Sequence, residues 1–146
     1  MLNAYPRILD SVLLPGYDRL RRRRYTERRR FLDRSQWWDA ERLRGFQWTE
    51  LRALLGHAFA SPYLQRKYRD VGVSGPDDIR NWDDFRRLPP LSREEINAHR
   101  SELCSTAYTG ALLPHATGGS SGTPTRFFRT YESYDWRTAA KDRVYE

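Results

Sequence analysis

Hydrophobic positions along the chain are sparse and fall mostly at helical spacing. Trp48, Leu51, Leu54, Leu55, Ala58 and Phe59 lie on one helical face and predict a buried helix that begins near Gln47. Ser61-Pro62 ends it and opens a shorter helix, Tyr63 to Val71, with Tyr63, Leu64 and Tyr68 inward and Gly72 just past its end. Upstream, Leu14-Pro15-Gly16 marks a break, after which Tyr17 to Asp33 reads as one helix. Downstream the texture shortens: Pro76 to Ile79 and Trp82 to Arg87 each read as a single turn, stopped by Leu88-Pro89-Pro90. Ser92-Arg93-Glu94-Glu95 fits a capping box and predicts a helix from Arg93 to about Leu103. Beyond Thr109-Gly110, Ala111 to Ala116 and Arg126 to Thr130 read as short extended segments around a glycine-rich loop, and Tyr131 to Tyr145 as a closing helix. That helix, with Tyr134, Trp136, Ala140 and Val144, asks for a surface that two short strands do not supply, so more of the fold is expected outside these residues.

Composition sharpens the picture. Leu occurs sixteen times while Val and Ile together occur seven times, which argues for a mainly helical core and against an all-β sandwich or barrel. At 146 residues the chain suits one domain or a piece of one, and no internal repeat or long linker divides it. An aromatic content of 14% argues against disorder. The longest aliphatic runs, Val12 to Leu14 and Ala111 to Leu113, fall far short of the ~20 apolar residues that span a bilayer. Arg7, Asp10 and Pro15 interrupt the N-terminal hydrophobic positions, so no stretch of signal-peptide length is present and a cytoplasmic location is expected. Cys104 is the sole cysteine, which excludes an intramolecular disulfide and a cysteine-based metal cluster; it reads as a small, partly buried hydrophobe.

The charge is concentrated. Eight arginines between Arg19 and Arg30, against the single acid Glu27, carry the whole formal charge of +7. Such a segment can be a solvated helical face or a site for a polyanion or an anionic surface. In a helix, Arg21 to Arg24 cover more than one turn and cannot all face one groove, so some must lie along the protein with their stems packed.

The sharpest chemical signal is Thr117-Gly118-Gly119-Ser120-Ser121-Gly122-Thr123-Pro124. Glycines let backbone N–H groups converge on an anion and the hydroxyls add donors, so a loop of this composition between two strands can wrap phosphate oxygens. It is not a Walker loop, because Gly122 is followed by Thr123-Pro124 and not by Lys-Ser/Thr opening a helix. On composition alone it reads more often as a flexible linker; the β-like flanks bring a structured hairpin level with that reading.

This stretch, followed by Arg126-Phe127-Phe128, resembles the TGGS-x-GTP phosphate-binding signature of adenylate-forming enzymes of the phenylacetate-CoA ligase type, including relatives from capsular polysaccharide clusters. The resemblance extends from about Leu13 to the end. It includes Ser35-Gln36-Trp37-Trp38, Leu51 to Phe59, Ser61-Pro62-Tyr63, Pro76-Asp77-Asp78-Ile79 and Leu88 to Ile96, in the family's order and spacing. It implies an α/β fold of the adenylate-forming ligase type, N-terminal portion only, mainly helical with a short β-hairpin around the loop. Within the large adenylation domain, 1–34 would be a basic helical lead-in, 35–110 a helical region, and 111–146 strand, phosphate loop, strand and helix. The implied reaction activates a small carboxylic acid with ATP and magnesium and passes the acyl group to coenzyme A. Thr117, Gly118, Gly119, Ser120, Ser121, Gly122 and Thr123 would hold the β- and γ-phosphates for in-line attack on the α-phosphorus. Many members carry a lysine shortly after the loop's proline; here Arg126 would supply the charge with a different, planar geometry. The family's adenine platform, magnesium-contacting acid, ribose aspartate and C-terminal lysine lie further downstream, so no catalytic residue is assigned and the chain alone is expected to be inactive.

The remaining polar residues read as structural. His57, His99 and His115 share no metal-ligand spacing, and no metal site is assigned. Asp77-Asp78 and Asp83-Asp84 sit where helix N-termini favour negative charge. Trp37, Trp38 and Trp48 read as core or interface aromatics. Three functions stand side by side: the N-terminal part of an AMP-forming ligase; a basic module using Arg19 to Arg30 on nucleic acid, without sequence specificity, or on an anionic surface; and a chain that completes a ligase fold with a C-terminal region supplied in cis or in trans.

Overall fold

The computed structural model describes residues 8–118 and 124–144. A π-helical turn, Leu9–Leu13, runs into α1 (Leu14–Arg21), followed by α2 (Tyr25–Ser35), α3 (Ala40–Phe59) and α4 (Pro62–Arg69). A 3-10 turn at Pro76–Asp78 precedes α5 (Trp82–Arg86) and α6 (Arg93–Ala98). Strands β1 (Leu113–Ala116) and β2 (Arg126–Arg129) pair as a small antiparallel sheet, and α7 (Tyr131–Val144) follows. The fold is therefore mainly helical with one two-stranded hairpin. Its residues group into two compact units, Met1–Leu43 with Arg129–Glu146, and Arg44–Phe128.

In the first unit the helix expected over Tyr17 to Asp33 is two helices. Pro15 lies in the first turn of α1, where its missing N–H costs no helical bond, so Leu14-Pro15-Gly16 begins a helix and does not break the chain. The break comes at Arg22, whose φ of 52° is the left-handed cap conformation usually taken by glycine. It lets the Arg23 N–H close back on the Asp18 carbonyl at 2.7 Å and sends the chain into α2. Two carboxylates then serve the start of α2. Buried Asp18 accepts from the Thr26 N–H at 2.7 Å, and buried Asp135, on α7, accepts from the Arg24 N–H at 3.1 Å. Both place negative charge where the unpaired N–H groups of a helix start need it.

Asp135 also accepts from the Arg23 guanidinium, with Nε at 2.9 Å, and that guanidinium lies over the rings of Tyr131 and Tyr134. Nearby, Phe31 of α2 meets Trp38 and Trp136 edge-on, each at 5.5 Å between centroids, and Ala139 of α7 is fully buried. The closing helix thus finds its surface within the chain, on α2. Its packed face is Asp135, Trp136 and Ala139; Tyr134 and Val144, expected inward, are exposed.

The core of the second unit is Leu55, Phe59, Val73 and Ile79, with Trp48, Leu51, Tyr68, Phe85 and Leu88 packed around it. The predicted stripe on α3 is present except for Leu54, which is 64% exposed. The helix starts at Ala40, seven residues before the expected Gln47, because Asp39 accepts from the Arg42 N–H at 2.8 Å and caps a polar first half that has no apolar stripe. Ser61 caps α4, and Gly72 takes a φ of +77° after it. Asn81 caps α5 through the N–H groups of Asp83 and Asp84, both at 2.9 Å.

Replacing Asp135 with alanine leaves the largely buried Arg23 guanidinium and the Arg24 N–H without their acceptor, and is expected to cost about 3 kcal/mol. Glu27→Ala, which removes the exposed partner of Arg24, should cost under about 1 kcal/mol. Urea unfolding of both variants checks the ordering; equal losses would contradict it.

Candidate functional site

Of the loop candidates, Thr117 and Gly118 directly follow β1 at the base of the β1–β2 hairpin. At its base Thr117 and Thr125 are joined twice: the Thr117 N–H donates to the Thr125 carbonyl at 3.0 Å, and the Thr125 N–H donates to the Thr117 hydroxyl at 3.1 Å. The Thr117 hydroxyl therefore acts as an acceptor within the hairpin, and its own proton remains to donate elsewhere. Gly118 leaves this base with open space where a Cβ would stand. Gly119, Ser120, Ser121, Gly122 and Thr123 lie outside the described residues. Arg126 opens β2 and its side chain is exposed.

The hairpin is tied to α6 by Asn97, whose side-chain oxygen accepts from the Arg126 N–H at 3.0 Å. The position of α6 is set in turn at its N-terminus. The Ser92 hydroxyl accepts from the Glu95 N–H at 3.1 Å while Glu95 accepts from the Ser92 N–H at 2.7 Å, completing the predicted capping box. Glu95 also binds the Lys67 ammonium and accepts from the Tyr63 hydroxyl at 2.6 Å, so one carboxylate fixes α6 to α4. The Lys67 contact, then the Ser92 N–H and the Tyr63 hydroxyl, push the Glu95 carboxyl down to about 2. The same Glu95 bond pushes the Tyr63 hydroxyl up. At the other end, Tyr63 stacks on His99 at 4.2 Å, and Glu102 pairs with both Arg66 and His99, which hold its carboxyl below the usual range.

α6 ends at Ala98, five residues short of the expected Leu103. Long-range demands on the following backbone explain the shortening. The Glu102 carbonyl accepts from the Ser61 hydroxyl at 2.9 Å and the Tyr63 N–H at 3.2 Å, at the start of α4, and Thr106 bonds the Ala60 carbonyl. The segment after α6 turns to make these bonds and carries Arg100 beside the hairpin, where its guanidinium lies 5.3 Å from the centre of the Phe128 ring.

Arg100 and Arg126 together line three hollows. One, of about 420 Å³, adds Asn97, Ser101 and Pro124. A second, also about 420 Å³, runs along Pro114, His115 and Ala116 of β1. A third, of about 180 Å³, is apolar and reaches Leu103, Leu112, Phe127 and Phe128. Among the described residues no carboxylate lines any of them. Arg100 was not among the sequence candidates, because nothing in its local sequence distinguishes it from the other arginines.

The other candidates stay apart. Among the eight arginines from Arg19 to Arg30, Arg23, Arg24 and Arg28 bind Asp135, Glu27 and Glu132, and Arg28 also lies over the Trp136 ring at 4.5 Å. His57 is exposed and its Nδ1 lies 3.3 Å from the Ser105 hydroxyl. Asp78 accepts from the Ser74 and Gly75 N–H groups, which lower its pKa, and Asp84 accepts from the Arg80 N–H. Asp77 and Asp83 pair with Arg52 and Arg86. Among the described residues no group of His, Cys, Asp or Glu could hold a metal ion, so no magnesium contact is derived from them. No described helix is long and apolar enough to cross a membrane.

Among the described residues, the structure thus brings Arg100 and Arg126 together beside the base of the hairpin at Thr117 and Thr125. Over 96 residues, 64% of its length, the chain is 27% identical to the phenylacetate-coenzyme A ligase of Escherichia coli strain K12, of which the match spans 22%. No protein-family profile matches the chain, and no solved structure matches it.

Because Glu95 is held near 2, its contribution to stability is fully present above its ordinary titration near 4.5 and is lost as pH falls through about 2. The difference in melting temperature between the wild type and Glu95→Gln should be widest near neutrality and should shrink between pH 4.5 and 2. A difference independent of pH across that window would contradict the assignment.

Proposed function

We propose that the chain is the N-terminal, phosphate-binding part of an AMP-forming carboxylate–CoA ligase. The observation that supports this is the twice-joined Thr117–Thr125 base, two residues that bracket the glycine- and hydroxyl-rich segment in sequence, with Arg126 directly after it. The 96-residue similarity to a ligase that by its name joins phenylacetate to coenzyme A supports the same reading. The finer comparison with capsular-cluster relatives rests on the form of Thr117 to Pro124 alone.

In this reading ATP is a substrate. Backbone N–H groups from Gly118 to Thr123 and the hydroxyls of Thr117, Ser120, Ser121 and Thr123 hold the β- and γ-phosphates, with Arg126 adding positive charge. The substrate carboxylate oxygen attacks the α-phosphorus, the bond from that phosphorus to the bridging oxygen breaks, and pyrophosphate leaves with the electron pair. The acyl-adenylate formed then passes its acyl group to the thiol of coenzyme A and releases AMP. The chain's own part is electrostatic positioning of the leaving group. The acid pocket, the adenine platform and the catalytic lysine belong to the region expected downstream, supplied in cis or in trans.

Titration calorimetry on the 146-residue chain tests this. ATP and inorganic tripolyphosphate should both bind, AMP should bind far more weakly, and a Ser120→Ala, Ser121→Ala double variant should lose about tenfold or more, as expected for lost hydrogen bonds to a charged ligand. The chain alone should form no acyl-CoA. Equal affinity for AMP and ATP, or an unchanged double variant, would overturn the proposal.

A further inference from the structure

We propose that Arg100 and Arg126 form a two-guanidinium clamp for a polyphosphate anion, with Arg100 reaching the ligand from outside the hairpin that carries the loop. The inference deepens the reading above and rests on it for the identity of the ligand.

Three observations carry it. The first is convergence: both arginines line the same 420 Å³ hollow with Asn97, Ser101 and Pro124, at the end of the hairpin where the loop rejoins β2. The second is the absence of competition. Arg23, Arg28, Arg52 and Arg66 each bind a carboxylate, whereas among the described residues no acid pairs with Arg100 or Arg126 and none lines the hollows they share. Two cations held together with no carboxylate repel one another, and an anion between them relieves that repulsion. The third is availability. The Phe128 ring meets the face of the Arg100 guanidinium and Asn97 binds only the Arg126 backbone N–H, so neither contact uses a hydrogen-bonding edge of a guanidinium. Ten N–H donors in two planar forks suit the several oxygens of a diphosphate or triphosphate better than a single carboxylate. Ser101, in the same hollow, adds a hydroxyl.

Glutamine variants make the cleanest test. Arg100→Gln removes only the guanidinium that lies over Phe128 and leaves a shorter polar side chain, and Arg126→Gln keeps the backbone N–H that bonds Asn97, so both should retain a melting temperature close to that of the wild type. Binding of inorganic pyrophosphate and tripolyphosphate to the full chain is measured by calorimetry at several salt concentrations. Each single variant should weaken tripolyphosphate binding about tenfold and flatten its salt dependence, and Arg100→Lys should recover the salt dependence but only part of the affinity, since it keeps the charge and loses the fork. Wild-type affinity in folded Arg100→Gln would overturn the clamp, even if the serine double variant loses binding and the loop reading stands. Loss of binding in Arg100→Gln with an unaffected serine double variant would support the clamp and remove the loop. If Arg100→Gln does not fold, Arg100→Lys decides: unchanged affinity and salt dependence for both anions would overturn the clamp. No binding of either anion by the wild type would overturn both readings.

Discussion

Guanidinium is in surplus throughout this molecule: twenty-four arginines face nineteen carboxylates, and many of those carboxylates are also needed as caps. Where an arginine obtains an acid, it builds structure. Asp135 is the clearest case, since one buried carboxylate binds Arg23, accepts from the Arg24 N–H and thereby joins α7 to the start of α2. The cost of removing that charge from water is offset by its multiple donors and by the positive end of the helix it faces. At Arg100 and Arg126 no acid among the described residues pairs with the guanidinium, and that is where the proposed clamp uses it.

The second unit applies one device twice. Glu95 closes the capping box of α6 and holds Lys67 and Tyr63 of α4, and Glu102 holds Arg66 of α4 and His99. Between these two anchors α6 has little freedom, and what it presents on its far side, Asn97 and then Arg100, is positioned against the hairpin. The apolar core of Leu55, Phe59, Val73 and Ile79 makes no contact with the ligand in this reading; it supplies the platform on which those polar side chains are held.

Local rules were legible in the sequence and distant ones were not. The Ser92 to Glu95 box, the Ser61 cap, the Gly72 turn and the strand-loop-strand at Thr117 follow from bonds spanning a few residues, and each has a residue signature. The break at Arg22 has none, because a run of arginines carries no period, and of the two carboxylates that serve it Asp135 lies 113 residues from Arg22 in sequence. The early start of α3 was hidden by its polar first half, and the early end of α6 by bonds from α4 to the Glu102 carbonyl. For the site, the loop and Arg126 were visible as composition, whereas Arg100 gains meaning only when the turn after α6 brings it to Phe128.

The doubled threonine join has one more effect. It fixes the register of both strands on either side of the seven intervening residues, so Arg126 keeps its place whatever side chains those seven carry. In the proposed reading, ligand preference can drift by substitution between the two joined residues while their bonds are kept, and Thr117, whose hydroxyl makes one of those bonds, is the position least free to change.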